Sequence, residues 1–225
     1  MDFSFLFDAY YLGVLLKGLL LTLLLAILSI ILGAILSFIP AFMRLSKIKI
    51  FRFLGTAYVE FIRGTPLLVQ VLLIYSIVKL PVKLVLGIDI SSFIPGVIGL
   101  VINSSAYMAE ILRGGILAVD KGQKEAALSL GLTNGQTFRH IILPQAIKQM
   151  IPSLGNEFAS LIKETSIFTY LGIAELMYAA SIVKVGTYAI KEVYIVTAIL
   201  YFVLTYSTSL LMSKIEERMR RHDGR

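Results

Sequence analysis

Residues 19–39 read LLLTLLLAILSIILGAILSFI, an apolar run of 21 residues without a charged side chain. A bilayer core of ~30 Å needs about 20 helical residues to cross it, because each residue adds about 1.5 Å. The run is therefore long enough to span a membrane, and it forms the centre of a longer apolar stretch over residues 12–43. We expect a membrane-spanning helix here.

Four further apolar stretches of similar length follow, over residues 53–80, 93–112, 145–170 and 193–212. The second is interrupted by Gly64, Thr65 and Pro66, which predict a break in its helix. The stretches are long and continuous rather than alternating, so membrane β-strands are disfavoured. The sequence predicts an all-α integral membrane protein with five transmembrane helices, in a single transmembrane domain over residues 1–225.

The composition agrees with a lipid-embedded chain. Of the 225 residues 57% are hydrophobic and 16% are charged, with a mean hydropathy of +0.85. Soluble domains carry roughly a quarter charged residues. The absence of cysteine excludes disulfides and thiol chemistry. Two histidines, His140 and His222, make no metal-ligand pattern with their neighbours, so we predict no metal site and no catalytic residue.

Basic residues are concentrated in alternate links between the apolar stretches. Of the 21 Lys and Arg residues, 14 lie in three segments: Arg44, Lys47, Lys49 and Arg52; Arg113, Lys121, Lys124, Arg139 and Lys148; Lys214, Arg218, Arg220, Arg221 and Arg225. The positive-inside rule places these segments in the cytoplasm, with the N-terminus outside and the C-terminus inside. The net charge of +7 is thus explained by topology and anionic headgroups rather than by nucleic-acid binding.

The longest basic link, residues 120–143, carries helix-capping signals. Asp120 is a good N-cap with a glutamine three residues later, and Gly131 suits the left-handed stop of a helix over residues 121–130. Thr133 begins a second capped helix, again with glutamine at the third position, and Pro144 fits the first turn of the next span. By spacing alone, the link is either a projecting docking element or an ordinary structured loop.

The same link resembles the EAA motif of ABC importer permeases. Its fixed positions are met in order by Glu125, Ala126, Ala127, Gly131, Ile141, Leu143 and Pro144. In that family the motif forms coupling helices that seat in a groove of the cytoplasmic ATPase. The resemblance therefore implies that these seven residues couple the chain to ATPase subunits.

Three more stretches resemble the polar amino acid branch of that family, which takes up arginine, histidine, glutamine and related substrates. They read EFIRGTPLLVQ at 60–70, SAYMAEILRGG at 105–115 and KETS at 163–166. The resemblance implies a type I ABC importer permease in a prokaryotic cell membrane. It also implies an extracytoplasmic amino-acid-binding protein and a second permease, either another copy or a homologous chain.

No stretch matches the phosphate-binding pattern G-x-x-x-x-G-K-[ST]. We therefore expect this chain to bind no cofactor, with ATP and Mg bound by the partner ATPase. Five helices are too few to surround a polar amino acid, so two permeases would enclose the path around a two-fold axis. The importer would then open alternately to either side of the membrane, driven by ATP.

Polar residues inside the apolar stretches are the candidate substrate contacts, because such residues normally face protein or a water-filled cavity. Helical spacing puts Asn103, Tyr107 and Glu110 on one face of the third span. It puts Glu157, Ser160 and Glu164 on one face of the fourth span, with Asn156 beside Glu157. Together they predict a pocket for a polar amino acid, with a carboxylate facing a cationic group as in arginine or histidine.

Each of these residues also has a structural reading. Asn103 and Ser104 would then only bond helix to helix, and Glu164 would pair with Lys163. Glu60 and Arg63, three positions apart, are expected to neutralise each other beside the predicted helix break. Two other classes of protein are disfavoured: a secondary amino acid transporter usually shows paired repeats and more spans, and a membrane-embedded enzyme needs a catalytic constellation that is missing here.

Overall fold

The computed structural model describes residues 2–85 and 87–221, so His222 and Arg225 lie outside the described residues. The described chain is mainly helical. Its α-helices are α1 (Ala9–Leu45), α2 (Lys49–Gly64), α3 (Leu67–Ile77), α4 (Ile90–Ala118), α5 (Lys121–Ser129), α6 (Asn134–Thr137), α7 (Leu143–Glu164), α8 (Leu176–Thr187) and α9 (Ile190–Arg221). Shorter turns are 3₁₀ at Ser4–Phe7 and Thr165–Leu171, and π at Phe138–Ile142.

Within the described residues, three segments are each long and apolar enough to cross a membrane: Ala9–Leu45, Ile90–Ala118 and Ile190–Met219. Two more crossings are possible if each of two bent helix pairs counts as one span, which makes up to five. One pair is α2 with α3, bent by 106°, and the other joins residues 134–171 to α8 at 55°. The predicted second span, residues 53–80, is thus a bent pair, whereas the predicted fourth span, residues 145–170, lies within the first member of the other pair.

The break between α2 and α3 lies where the sequence predicted it. Thr65 is extended (φ −115°, ψ 147°), as the residue before a proline prefers, and Pro66 begins α3. Gln70 Nε2 donates to the carbonyl oxygens of Ile62 (2.7 Å) and Thr65 (3.0 Å) and to Thr65 Oγ1 (2.7 Å). The Gln70 amide thereby donates hydrogen bonds to carbonyl groups that have no partner within the helix at the C-terminal end of α2.

Two elements were not predicted. A two-stranded antiparallel hairpin, Leu84–Val85 with Ile88–Asp89, precedes α4. Asp89 then caps α4, and hydrogen bonds from the Ser91 backbone and side chain hold the pKa of Asp89 below its usual value. The second element is α8, which lies between the predicted fourth and fifth spans.

A buried carboxylate begins α8. Glu175 is fully buried, and its Oε1 accepts from the Tyr178 backbone N–H at 2.8 Å. Its Oε2 accepts from Met177 N at 2.9 Å, from the Tyr201 hydroxyl at 2.8 Å and from Thr22 Oγ1 at 3.4 Å. Side chains of α1 and α9 thus meet the N-terminus of α8 at a single acidic group, which we call the Glu175 network.

Small residues let α1 lie close to its neighbours. A β-carbon at Gly33 would lie 2.7 Å from Ser104 Oγ on α4, and one at Gly18 would lie 2.7 Å from the Ala179 β-carbon on α8. Small residues at helix contacts are typical of membrane proteins, where close packing rather than the hydrophobic effect drives helix association. Helix α1 is therefore the shared wall against which α4 and α8 are fixed.

The link over residues 120–143 folds largely as predicted. Asp120 Oδ1 accepts from Gly122 N at 2.7 Å at the start of α5, and Gly131 ends that helix at φ +84°. Thr133 and Gln136 form a capping box. The glutamine of the first predicted box behaves differently, because Gln123 Oε1 accepts from Gln145 Nε2 at 3.3 Å.

The second short helix is continuous with the span that follows it. Helix α6 passes through the π turn into α7, and the Leu143 N–H bonds to the Phe138 carbonyl five residues earlier. Pro144 lies in the first turn of α7, as predicted. Because Pro144 lacks an N–H and its ring crowds the carbonyl four residues earlier, a wider π turn relieves the strain at this position.

Candidate functional site

The packing of α4 against α7 determines how far along the helix axes the candidate residues lie, which we call their level. The two helices run antiparallel in contact: Gly115 lies against Ala146 near one end of the pair, and Gly96 lies against Phe168 near the other. The tight contacts at both ends fix the register between the two helices. Tyr107 of α4 and Glu157 of α7 consequently lie at about the same level, midway between those two contacts.

At this level, the face of α7 carries mainly carboxylate side chains. Glu157, Ser160 and Glu164 are all half-buried, and their spacing puts them on one side of the helix. Glu157 lies in the electrostatic field of Glu164 and of Arg63 from α2. The structure therefore brings the two predicted carboxylates together on one face, and it adds an arginine that the sequence did not indicate.

Ser104 lies beside Glu157 and is fully buried. Its hydroxyl oxygen has no aligned hydrogen-bond partner among the described residues, although the Glu157 carboxylate is its neighbour. Gly33 of α1 lies on the other side of this hydroxyl. The Glu157 carboxylate is thus the polar group that faces this buried hydroxyl.

Arg63 is the residue of α2 that borders the polar region around Glu157. Its guanidinium carbon lies 5.1 Å from the centroid of the Tyr107 ring, within the range of a cation–π contact. One of its nitrogens lies 3.9 Å from Glu110 Oε2. Arg63 lies directly before the predicted helix break, but its long-range partners on α4 were not deducible from spacing.

Two predicted residues lie elsewhere. Asn103 is buried, and its Nδ2 donates to Gln70 Oε1 at 3.0 Å, which is the helix-to-helix bond that the sequence left open as its alternative role. Asn156 is exposed and lines a separate cavity of about 150 Å³ between α7 and α9, with Ser209 and Met212. Asn156 is adjacent to Glu157 in sequence but faces a different helix.

The predicted pair of Glu60 with Arg63 is wrong. Glu60 Oε1 lies 3.6 Å from Arg44 at the end of α1, and Arg63 is directed to Glu110. Glu110 is the centre of this cluster, since Arg44 lies 2.5 Å from its Oε1 and Arg113 donates to both oxygens at 3.0 and 3.1 Å. Sequence spacing favoured the local partner, whereas helix packing brought closer partners from α1 and α4.

The seven predicted coupling residues are distributed between an exposed helix and the start of α7. Glu125 and Ala126 are exposed on α5, and Ala127 is buried beneath them. Two large apolar side chains stand out on the same link, Leu128 at 38% exposure and Leu130 at 81%. Ile141, Leu143 and Pro144 lie where the link enters α7. An exposed helix with small and apolar side chains is a surface suited to close contact with another protein.

No metal centre accompanies these features within the described residues, since no group of three His, Cys, Asp or Glu side chains there could hold a metal ion. The polar level of Glu157 and the exposed α5 link are thus the two chemically distinctive parts of the described chain. Helices α4 and α7 connect these two parts, because α4 leads into the link and the link leads into α7.

Comparison with known proteins defines the class. Residues 29–221 match the family described as "Binding-protein-dependent transport system inner membrane component". The "Probable glutamine ABC transporter permease protein GlnM" of Bacillus subtilis (strain 168) is 44% identical over 181 residues, which cover 80% of this chain and 82% of the relative. The "Arginine transport system permease protein ArtQ" of the same organism is 33% identical over 209 residues, 93% of this chain and 94% of the relative.

A solved structure agrees with these relatives. The "Crystal structure of an amino acid ABC transporter with histidines" superposes with a TM-score of 0.85 at 43% identity, covering 97% of this chain and 100% of that one. The fold is thus that of a type I ABC importer permease. The chain belongs to the binding-protein-dependent transport system inner membrane components, as a permease subunit of an ABC importer for amino acids. The predicted family and fold class are confirmed.

Proposed function

We propose that this chain moves a polar amino acid with a cationic group, such as arginine or histidine, into the cell. The carrying observation is the pair of half-buried carboxylates on one face of α7, Glu157 and Glu164. Glu157 lies in the electrostatic field of Glu164, and Glu164 also lies in that of Lys163. Two like charges inside a membrane span repel each other and are costly to bury. A bound cation offsets both the repulsion and the cost of burial. The names of the relatives include both glutamine and arginine, and this carboxylate pair favours the cationic substrate.

The remaining residues at this level complement an α-amino acid. Glu157 and Glu164 would accept from the ammonium or side-chain cation, and Ser160 would supply a neutral hydrogen bond. Arg63 would face the substrate carboxylate, since an arginine fork matches a carboxylate geometrically. Tyr107 would form the wall on which Arg63 is stacked. The roles predicted for Asn103 and Asn156 stay predictions.

The transport cycle would be driven from outside this chain. In our proposal the α5 link, with Glu125, Ala126, Ala127 and Gly131, seats in a groove of an ABC ATPase subunit that binds ATP and Mg. Because the link joins α4 to α7, movement of the link is transmitted directly to the helices that carry Tyr107 and Glu157. Two permeases around a two-fold axis would enclose the path, and an external binding protein would deliver the substrate.

The orientation follows from the basic links. Lys47 lies between α1 and α2, and Lys49 and Arg52 lie at the start of α2. The α5 link lies at the opposite end of α4 from the hairpin that contains Gly87. The positive-inside rule then places the α5 link in the cytoplasm and Gly87 outside. A secondary transporter is disfavoured, because the family is that of ABC importer permeases.

The decisive experiment replaces Glu157 by glutamine in the complex reconstituted with its ATPase and binding protein. Glu157→Gln keeps the shape and removes the charge, so arginine uptake should fall about tenfold or more, as expected for losing ~1.5 to 3 kcal/mol from a hydrogen bond to a charged group. Residual glutamine uptake should fall much less, and basal ATPase activity should persist. Glu192→Gln, a carboxylate near the start of α9, is the matched control and should transport normally.

Two results would contradict the proposal. Equal loss for arginine and glutamine would show that Glu157 holds helices together rather than selecting a cation. Unchanged uptake of every substrate would move the site away from Glu157, and Glu164→Gln would then be tested in the same assay. Substrate-stimulated ATPase activity with arginine, lysine, histidine and glutamine in turn identifies the substrate independently of any mutation.

A further inference from the structure

An apolar groove lies between α1 and α2, toward the C-terminal end of α1. Its cavity measures about 350 Å³. The lining residues are Leu36, Ile39, Pro40, Met43, Leu54, Tyr58 and Ile102. The α1 wall runs from Leu36 to Met43, seven helical steps, which is about 10 Å at the helical rise. The groove is thus a shallow slot along part of a membrane helix.

The groove offers no free polar group to a ligand. Its tyrosine is engaged elsewhere, because the Tyr58 hydroxyl lies 2.6 Å from Ser105 Oγ and 3.2 Å from the Ile102 carbonyl oxygen. A polar amino acid would lose its hydrogen bonds to water here without replacement, which is unfavourable. The occupant that suits this lining is hydrocarbon.

One end of the groove is closed by a strongly basic segment. The groove residues nearest the α1–α2 connection are Met43 on α1 and Leu54 on α2, and the two helices cross in close contact there. A β-carbon at Gly55 would lie only 2.7 Å from the Met43 β-carbon. Between those walls, residues 44–52 contain four basic residues and no acid. Arg44 is engaged with Glu110, whereas Lys47, Lys49 and Arg52 have exposed side chains.

We propose that this groove binds one anionic phospholipid, with an acyl chain along the groove and the phosphate at the basic segment. The apolar lining selects hydrocarbon, and the exposed cations at one end complement a negative headgroup. Basic residues beside a membrane helix attract anionic lipids, and each strengthens binding by roughly fivefold when it lies close to the surface. The exposed apolar residues of α2, including Phe51 and Phe53, extend the lipid-facing surface beside the groove.

The test uses the full-length chain in complex with its ATPase, reconstituted in nanodiscs of mixed phosphatidylglycerol and phosphatidylcholine. Each lipid is supplied in turn with a photoreactive group in its acyl chain, and cross-linked peptides are identified by mass spectrometry. The phosphatidylglycerol probe should label peptides containing Met43, Leu54 or Ile102 at least fivefold more than the phosphatidylcholine probe does at equal concentration.

Three variants locate the two parts of the site. Lys47→Gln/Arg52→Gln should lower phosphatidylglycerol labelling toward the phosphatidylcholine level, by about fivefold, and leave phosphatidylcholine labelling unchanged. The matched control Lys214→Gln/Arg218→Gln removes the same two charges from the end of α9 and should leave the labelling unaltered. Leu54→Trp, which fills the groove, should reduce labelling by both probes. Each variant is compared only if it purifies as the intact complex.

Several outcomes would overturn the proposal. Equal labelling by the two lipids would show a groove without headgroup selection. Labelling that survives Leu54→Trp would place the lipid outside the groove. Groove peptides that neither lipid probe labels would show that lipid does not occupy the groove.

Discussion

The Glu175 network allows a quantitative prediction about stability. Glu175 is fully buried and accepts four hydrogen bonds, two from backbone N–H groups of α8 and one each from Tyr201 and Thr22. Glu175→Gln keeps the volume and turns one acceptor oxygen into an N–H₂ donor. Whichever way the amide is oriented, at least one of the donors around Glu175 then faces another donor.

The expected loss follows from this geometry. A hydrogen bond to a charged group contributes about 1.5 to 3 kcal/mol, and a buried donor left without an acceptor costs about 1 to 3 kcal/mol. With the other bonds weakened but kept, we expect Glu175→Gln to lower the free energy of unfolding by about 2 to 4 kcal/mol. For a chain of this size each kcal/mol corresponds to roughly 2 to 4 °C, so the midpoint of thermal unfolding should fall by about 5 to 15 °C.

The assay has to suit a chain without tryptophan or cysteine, which excludes intrinsic tryptophan fluorescence and thiol-reactive dyes. A fusion to a fluorescent protein is heated in detergent, and the fraction that elutes as a monodisperse species is measured against temperature. Tyr201→Phe removes a single donor and should cost about 1 to 2 kcal/mol. Tyr206→Phe is its matched control on the exposed face of α9 and should leave the midpoint within about 1 °C.

A double variant separates a true network from two independent effects. Because Glu175 and Tyr201 share one hydrogen bond, Glu175→Gln/Tyr201→Phe should lose less than the sum of the two single losses. If Glu175→Gln melts within about 2 °C of the unmodified chain, the reasoning is refuted, because a buried acceptor of four hydrogen bonds would then be dispensable. Strictly additive losses would refute the shared bond.

Three further predictions concern the link, the arginine cluster and the topology. Gly131→Val should leave membrane insertion intact and abolish coupling of ATPase activity to transport, because φ is +84° at this position and a β-branched residue is strained there. Normal transport by this variant would show that the link takes no part in the mechanism. Glu110→Gln should destabilise the chain by about 1 to 3 kcal/mol in the thermal assay, since it leaves three arginines facing one another. Glu60→Gln should cost under about 1 kcal/mol, because the Glu60 side chain is 63% exposed. A reporter inserted at Gly87 should be external and one fused to the C-terminus cytoplasmic, and a cytoplasmic Gly87 would contradict the proposed orientation.

Local features of the chain were predictable because local physics governs them. The length and apolarity of residues 19–39 alone require a helix in lipid, since every backbone polar group has to be satisfied within the segment. The cap at Asp120, the capping box at Thr133 and the left-handed stop at Gly131 involve residues within three or four positions of one another. Each of these was therefore deducible from the order of residue types.

The partners of buried charges were decided only by tertiary structure. Spacing within α2 favoured a pair between Glu60 and Arg63, but packing against α1 and α4 supplied Arg44 and Glu110 instead. Glu175 gave no signal at all, because Thr22, which contacts it, lies 153 positions away. A polar side chain in a membrane span has to find a partner somewhere, yet its identity depends on which helix faces which, and that is fixed by packing.

The same division runs through the candidate site. The sequence determined that this chain is a helical membrane permease with a capped link between two spans, and that Glu157, Ser160 and Glu164 share a helix face. Tertiary structure alone decided that α2 and α3 meet at 106°, that Arg63 lies over Tyr107 and that Asn103 is bonded to Gln70. The physical reason is range: capping and helix periodicity act over a few residues, whereas the contacts of a polar side chain are set by helices far apart in the chain.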